Sequence, residues 1–241
     1  MTTESYTDAD HAFRDGDTYA QAKYDITAAW LDELPHPAGR RPTLVHIGCG
    51  SGVFNRLAVD RGFDVRAYEP DPTACAMALA SSPSEHCSVE QLGLADVRLE
   101  SPADVVVMHD VLEHIDDDAG AVADLHALLD SHGTLILSVP ALPVLFGYHD
   151  EQLGHYRRYT RASLRAVLEP YFYIGRLRYF GFTFIPVTAW FSKVARRPYP
   201  TGTVGERGLL GRAFESACRF EERVTFPIGT SLVCEARTRS A

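Results

Sequence analysis

Short apolar runs alternate with helical patterns between residues 43 and 140, and that alternation constrains the fold more than any other feature. Runs over 43–47, 64–68 and 103–108 have strand length, 134–139 is a further one stopped by Pro140, and a weaker one lies over 87–92. Between them, Phe54, Leu57 and Ala58, then residues 72–80, then 117–129, fall at helical spacing, with Pro72 in the first turn of the second helix. Strand–helix–strand units at this spacing require a parallel sheet with helices on both faces. The run Val105-Val106-Val107 suits a strand covered on both sides.

The flanks extend this plan. Residues 1–17 read as a frayed arm, and Asp17 is placed to cap a helix running to about Leu34, on which Tyr19, Ala22, Ile26, Ala29 and Trp30 share a face. Beyond Pro140 the rhythm changes to a long loop over 141–159, a helix over 160–168, a strand near 173–179 and an apolar segment over 180–191. A mobile loop is expected over 196–208, then an amphipathic helix over 209–223 and a last strand over 230–236. The chain divides into an arm and cap helix (1–40), a ligand-binding core (41–140), a loop and lid region (141–227) and a closing strand (228–241), all within one domain.

Composition excludes several classes. At 241 residues and 46% hydrophobic the chain can bury one substantial core. The longest apolar stretch, 179–191, falls short of the roughly 20 residues of a membrane-spanning helix. The acidic, polar N-terminus is unlike a secretory leader, so a cytoplasmic location is expected. The five cysteines are odd in number and unpaired in sequence, which argues against a disulfide framework or a thiolate metal site. Residues 1–130 hold 24 acidic against 8 basic residues, while 131–241 hold 8 against 15. Nucleic acid is therefore not an expected partner, because phosphate neutralisation needs a broad basic face. Oligomeric state is not readable.

In an open parallel sheet, ligands bind beyond the carboxyl ends of the strands. The first loop on that edge is Gly48-Cys49-Gly50-Ser51-Gly52, where glycines let backbone pass close to a ligand and the following helix turns its positive end toward it. The spacing is not the G-x-G-x-x-G that fits a dinucleotide pyrophosphate, which disfavours an NAD enzyme. Glu69 ends the second strand, placed to accept hydrogen bonds from both ribose hydroxyls of a nucleoside. These features point to an adenosine-type ligand.

With these motifs the sequence resembles the class I S-adenosylmethionine-dependent methyltransferases. The matching residues are Val45 through Gly52, then Tyr68-Glu69-Pro70, then Asp104 through Ile115, in the family's order and spacing. The segment His149 to Thr160 is similar to small bacterial members. The resemblance implies a doubly wound, mostly parallel seven-stranded α/β sheet of order 3-2-1-4-5-7-6 with only the last strand antiparallel. It also implies S-adenosylmethionine as cofactor, with Gly48, Cys49, Gly50 and Gly52 approaching its methionine part, Glu69 on the ribose and Pro70 flanking the adenine. Gly93 and Leu94 would lie near the adenine amino group. His109, Asp110, Val111 and His114 would line the sulfonium region.

Methyl transfer from a sulfonium is an in-line displacement that needs alignment more than a metal, so no metal ligand set is expected. An oxygen or nitrogen acceptor must lose a proton, and His149, with His155 second, follows the fifth strand and is the candidate base. Tyr148, Tyr156, Arg157 and Arg158 are the expected acceptor contacts; alternatively the two arginines pair with the acidic first half. The expected acceptor is a small molecule, anionic or amphipathic, methylated on O or N rather than C, in secondary or lipid-linked metabolism. Two rival readings are a metal-dependent hydrolase built on His109, Glu113 and His114, and a regulatory protein that binds S-adenosylmethionine without turnover. His46 reads as a core residue.

Overall fold

The computed structural model describes residues 17–82, 84–196 and 209–239. The expected arm, apart from Asp17, and the expected mobile loop, apart from Arg196, lie outside the described residues. Asp17 caps helix α1 (Thr18–Leu31), its carboxylate accepting the Tyr19 N–H at 2.8 Å. Then follow β1 (Thr43–Ile47), α2 (Val53–Asp60), β2 (Asp64–Tyr68), α3 (Pro72–Ser81), β3 (Cys87–Glu90), β4 (Ala103–His109), α4 (Asp118–Leu128) and β5 (Leu129–Pro140). The second half adds α5 (Tyr148–Leu153), α6 (Arg161–Leu168), β6 (Phe172–Phe180), α7 (Ile185–Ala189), α8 (Leu209–Arg223) and β7 (Ser231–Thr238).

The seven strands lie in the order β3-β2-β1-β4-β5-β7-β6. Neighbours from β3 to β5 pair in parallel, and β7 runs antiparallel to both β5 and β6. The architecture is the one the resemblance implies. Strand alternation sends Val45, Ile47, Val106 and Met108 to one face, where α4 and α6 cover them with Val122, Leu125, Leu164 and Leu168. Leu44, Val105 and Val107 face the other way, under Ile26 and Leu31 of α1, Phe54 and Ala58 of α2, and Cys218 of α8. All of these are nearly free of solvent contact, so the central strands are the two-sided apolar strands expected of them.

The structure departs from the sequence reading beyond Pro140. The loop expected over 141–159 contains α5, set between Gly147 and Gly154, the latter in a left-handed cap at φ +70°. The apolar segment over 180–191 holds the end of β6 and α7, and α7 continues into a turn of π-helix, Trp190–Ala195, that leans on the 146–147 backbone, with the Lys193 ammonium donating to the Phe146 carbonyl. Glu221 of α8 is 1% exposed and accepts the N–H groups of Gly181, Phe182 and Thr183 at 2.8 Å each, which ties α8 to the turn after β6. No helix among the described residues is long and apolar enough to cross a membrane.

Candidate functional site

At the carboxyl edge of β1 the chain turns through three left-handed glycines, with φ +67° at Gly48, +54° at Gly50 and +85° at Gly52. They serve different ends. A Cβ on Gly48 would sit 2.4 Å from the Val111 Cγ2, and one on Gly52 2.9 Å from the Ser82 Oγ, so both are glycine because the chain packs on itself there. A Cβ on Gly50 would meet nothing within 4 Å, which makes Gly50 the glycine that faces open space. Glu69, buried at the end of β2, accepts the Gly50 N–H at 2.8 Å and the Asp71 N–H at 3.0 Å. Asp71 in turn caps α3. Cys49 is buried, and burial pushes its thiol pKa up, which disfavours the thiolate. Pro70 is exposed beside Glu69, and Gly93 and Leu94 lie half-buried at a one-turn 3-10 helix after β3, where a Cβ on Gly93 would also meet open space.

The end of β4 corrects one expectation. His109 was expected to line the sulfonium region, but it shares the alternation of Val105 and Val107 and so turns under α1 and α2. It is 6% exposed, its Nε2 lies 3.0 Å from the Thr27 hydroxyl, and its ring packs on Tyr24, Phe54 and His46. Burial and the neighbouring His46 hold its pKa well below the ordinary histidine range. The next residue, Asp110, is left-handed at φ +51° and does reach the edge, with its side chain 30% exposed. One of its oxygens pairs with the Lys23 ammonium, and the other accepts the Ser138 hydroxyl at 3.0 Å. Burial raises the Asp110 pKa, but the Lys23 charge and hydrogen bond outweigh that and hold it low. Sequence reasoning missed Lys23, whose side chain is only 5% exposed; its position one turn from Tyr19 and Ile26, on the buried stripe of α1, was the available signal.

Beyond Val111 a one-turn 3-10 helix, Leu112–His114, carries Glu113 and His114. The segment after α5 is stitched to it by the Tyr156 N–H, which donates to the Glu113 carbonyl at 2.8 Å. This brings His155 to His114, ring centroids 4.6 Å apart. The trio of the rival hydrolase reading, His109, Glu113 and His114, is therefore not assembled; Glu113, His114 and His155 are, with one potential ligand atom from each within 4.8 Å of the others. His155 Nδ1 lies 2.9 Å from Asp150 Oδ1. Burial pushes the Asp150 carboxyl up, but hydrogen bonds from His155 and Arg158 and the arginine's charge hold it down to about 2.

Arg158, expected on the acceptor, is 8% exposed and donates from Nε to Asp150 at 2.7 Å. Arg157 pairs with Asp118 at 2.8 Å at the start of α4. Arg157 thus takes the alternative of pairing with the acidic first half, whereas Arg158 pairs with Asp150 of the second half. Tyr148 and His149 are half-buried in the first turn of α5, and Tyr156 is 56% exposed.

The family described as a methyltransferase domain matches residues 17–171 of this chain. The chain belongs to that family. Among its curated relatives is a ubiquinone biosynthesis O-methyltransferase of Pseudomonas paraeruginosa, 27% identical over 135 residues, which are 53% of this chain and 57% of that protein. This chain therefore spans little more than half the length of that relative. A chain from a complex between a Haloferax volcanii methyltransferase activator and a putative methyltransferase superposes with a TM-score of 0.65 at 16% identity, covering 99% of this chain and 100% of that one. The N-methyltransferase NodS of Bradyrhizobium japonicum, in complex with S-adenosyl-L-homocysteine, superposes at 0.60 and 13% identity over 93% of this chain and 90% of that one. These likenesses show the fold.

The methyl donor of this family is S-adenosylmethionine. The residues present in this chain fit such a group. The Glu69 carboxylate has given one oxygen to each of two backbone N–H groups and keeps acceptor capacity on both. The Gly50 backbone beside it borders space that no side chain of its own can fill.

Proposed function

We propose that this protein transfers a methyl group from S-adenosylmethionine to an oxygen, or in second place a nitrogen, of a small amphipathic molecule of secondary or lipid-linked metabolism. The observation that carries this reading is the pairing of Glu69 with the Gly50 backbone on one strand end, two strands from the polar group Glu113, His114 and His155 on another. Glu69 and Gly50 would hold the donor's ribose and methionine portions, with Pro70, Gly93 and Leu94 bordering the adenine. When bound, the donor supplies a methyl carbon on a cationic sulfur. The protein's task is to align the acceptor atom, exclude water and receive the acceptor's proton. His149, in the first turn of α5, is the proposed proton acceptor, and Asp150 orients His155 at the acceptor's polar end.

The apolar part of the acceptor has a counterpart in Val187, Trp190 and Val194, which are 49%, 57% and 60% exposed along the segment that leans on the loop before α5. An anionic acceptor group loses its expected partners, because Arg157 and Arg158 are taken.

The test is calorimetric titration with S-adenosylmethionine and S-adenosylhomocysteine. Both should bind, and Glu69→Ala should weaken them roughly 10- to 100-fold, as expected for losing a hydrogen bond to a charged group. Absence of binding to the folded wild-type protein would remove the proposal.

A further inference from the structure

We propose that Glu113, His114 and His155 form a binding site for one divalent transition cation, of the zinc or manganese class, that holds the methyl acceptor through an oxygen. The three residues come from two segments far apart in the chain, yet each offers a ligand atom within 4.8 Å of the other two. Glu113 is 1% exposed and the His155 side chain 8%, so the group is sheltered from bulk water, which otherwise competes for a cation.

The second observation is independent of that spacing. Asp150 is fully buried, and one of its oxygens lies 2.9 Å from Nδ1 of His155 and accepts the Arg158 Nε at 2.7 Å. Its other oxygen accepts the Gly147 N–H at 3.0 Å. A carboxylate on one ring nitrogen fixes the ring and its tautomer, and it makes the other nitrogen a better metal ligand. His155 is thereby prepared to bind through Nε2.

Two imidazoles and one carboxylate suit zinc, manganese or ferrous iron better than magnesium or calcium, which favour all-oxygen shells. Three protein ligands leave at least one position open, the arrangement of a catalytic rather than a structural site. The site stands three residues beyond Asp110 at the carboxyl edge of β4, on the edge where the donor is proposed to lie. An acceptor hydroxyl coordinated there would have its pKa lowered. Its proton would pass to His149 or water, the oxygen pair would bond the methyl carbon, and the carbon–sulfur bond would break with its electrons moving to sulfur. The substrate class is thus an acceptor with a hydroxyl, or a hydroxyl beside a second oxygen donor. This rests on the proposed methyl transfer for its substrate, but not for the cation itself.

The experiment is equilibrium dialysis of chelator-stripped full-length protein against Zn²⁺ and Mn²⁺, with bound metal counted by mass spectrometry. S-adenosylhomocysteine affinity is measured on the same samples. One equivalent of metal should bind the wild type. His155→Gln and Glu113→Gln should each weaken it at least 10-fold, with S-adenosylhomocysteine affinity unchanged. Asp150→Asn, which keeps the side chain's size, should weaken it 10- to 100-fold as a positioning effect. Substitution by Co²⁺ should give a visible spectrum of nitrogen and oxygen ligation without thiolate charge transfer. Failure of the wild type to bind either metal, or equal binding by wild type and His155→Gln, would overturn the site; circular dichroism confirms that each variant is folded. Metal binding without S-adenosylhomocysteine binding would keep the site and remove the methyl-transfer reading.

Discussion

At the scale of single residues, glycines that look alike in sequence have separate reasons to be glycine. A Cβ added to Gly48 would sit 2.4 Å from Val111 and one added to Gly50 would meet nothing within 4 Å, although both are left-handed. Gly48→Ala should therefore lower stability by about 1–3 kcal/mol through overpacking, beyond the roughly 1–2 kcal/mol of left-handed backbone that Gly50→Ala also incurs. Gly50→Ala should be the variant that weakens S-adenosylhomocysteine binding more. Urea melts and titrations of the two variants check this, and equal loss of stability in both would contradict it. The glycine turn, Glu69 and the cap at Asp17 were legible because each is a local pattern of residue type. The burial of the His109 side chain was legible in its alternation with Val105 and Val107, a parity that outweighs its place in the motif. Partnership of His155 with Glu113 and Asp150 could not be read, because it depends on how a long connection folds back.

At the scale of elements, β1 and β2 begin and end where the sequence places them: β1 is buried along nearly its whole length, while in β2 the half-buried Asp64 and Arg66 alternate with the buried Val65 and Ala67. Helix α5 escaped notice because six residues, YHDEQL, between two glycines are too few and too polar to show a helical period. Helix α1 does more than cover a sheet face: Lys23 reaches across to Asp110 and secures α1 to the end of β4. Lys23→Met should lower stability by about 1–3 kcal/mol, less than for a fully buried pair because Asp110 is 30% exposed. Most of that loss should vanish in an Asp110→Asn background, as a double-mutant cycle of urea melts would show. Additive losses would mean that the pair contributes nothing.

At the scale of the whole molecule, the buried histidines set how stability responds to acid. Burial lowers the pKa of His46 to about 4, a change only partly opposed by its hydrogen bond to Asn55, and the same cause holds His109 well below the ordinary histidine range. An unfolded chain would protonate both near pH 6.5, so between about pH 6.5 and 4 the unfolded state binds more protons than the native one. Stability should be level above pH 7 and fall as pH drops through that window, with Asp110 adding a further loss below the ordinary carboxylate range. Urea midpoints from pH 8 to 5 measure this, and a flat profile would show that the histidines are hydrated. Sheet topology bears on folding as well. Strand β7 follows β6 in the chain yet inserts between β5 and β6, so β6 has no hydrogen-bonded neighbour until the segment after it arrives. During synthesis the β5 edge and β6 would both stay open to foreign strands until β7 fills the place between them, and a chaperone or a pause in translation would matter in that interval.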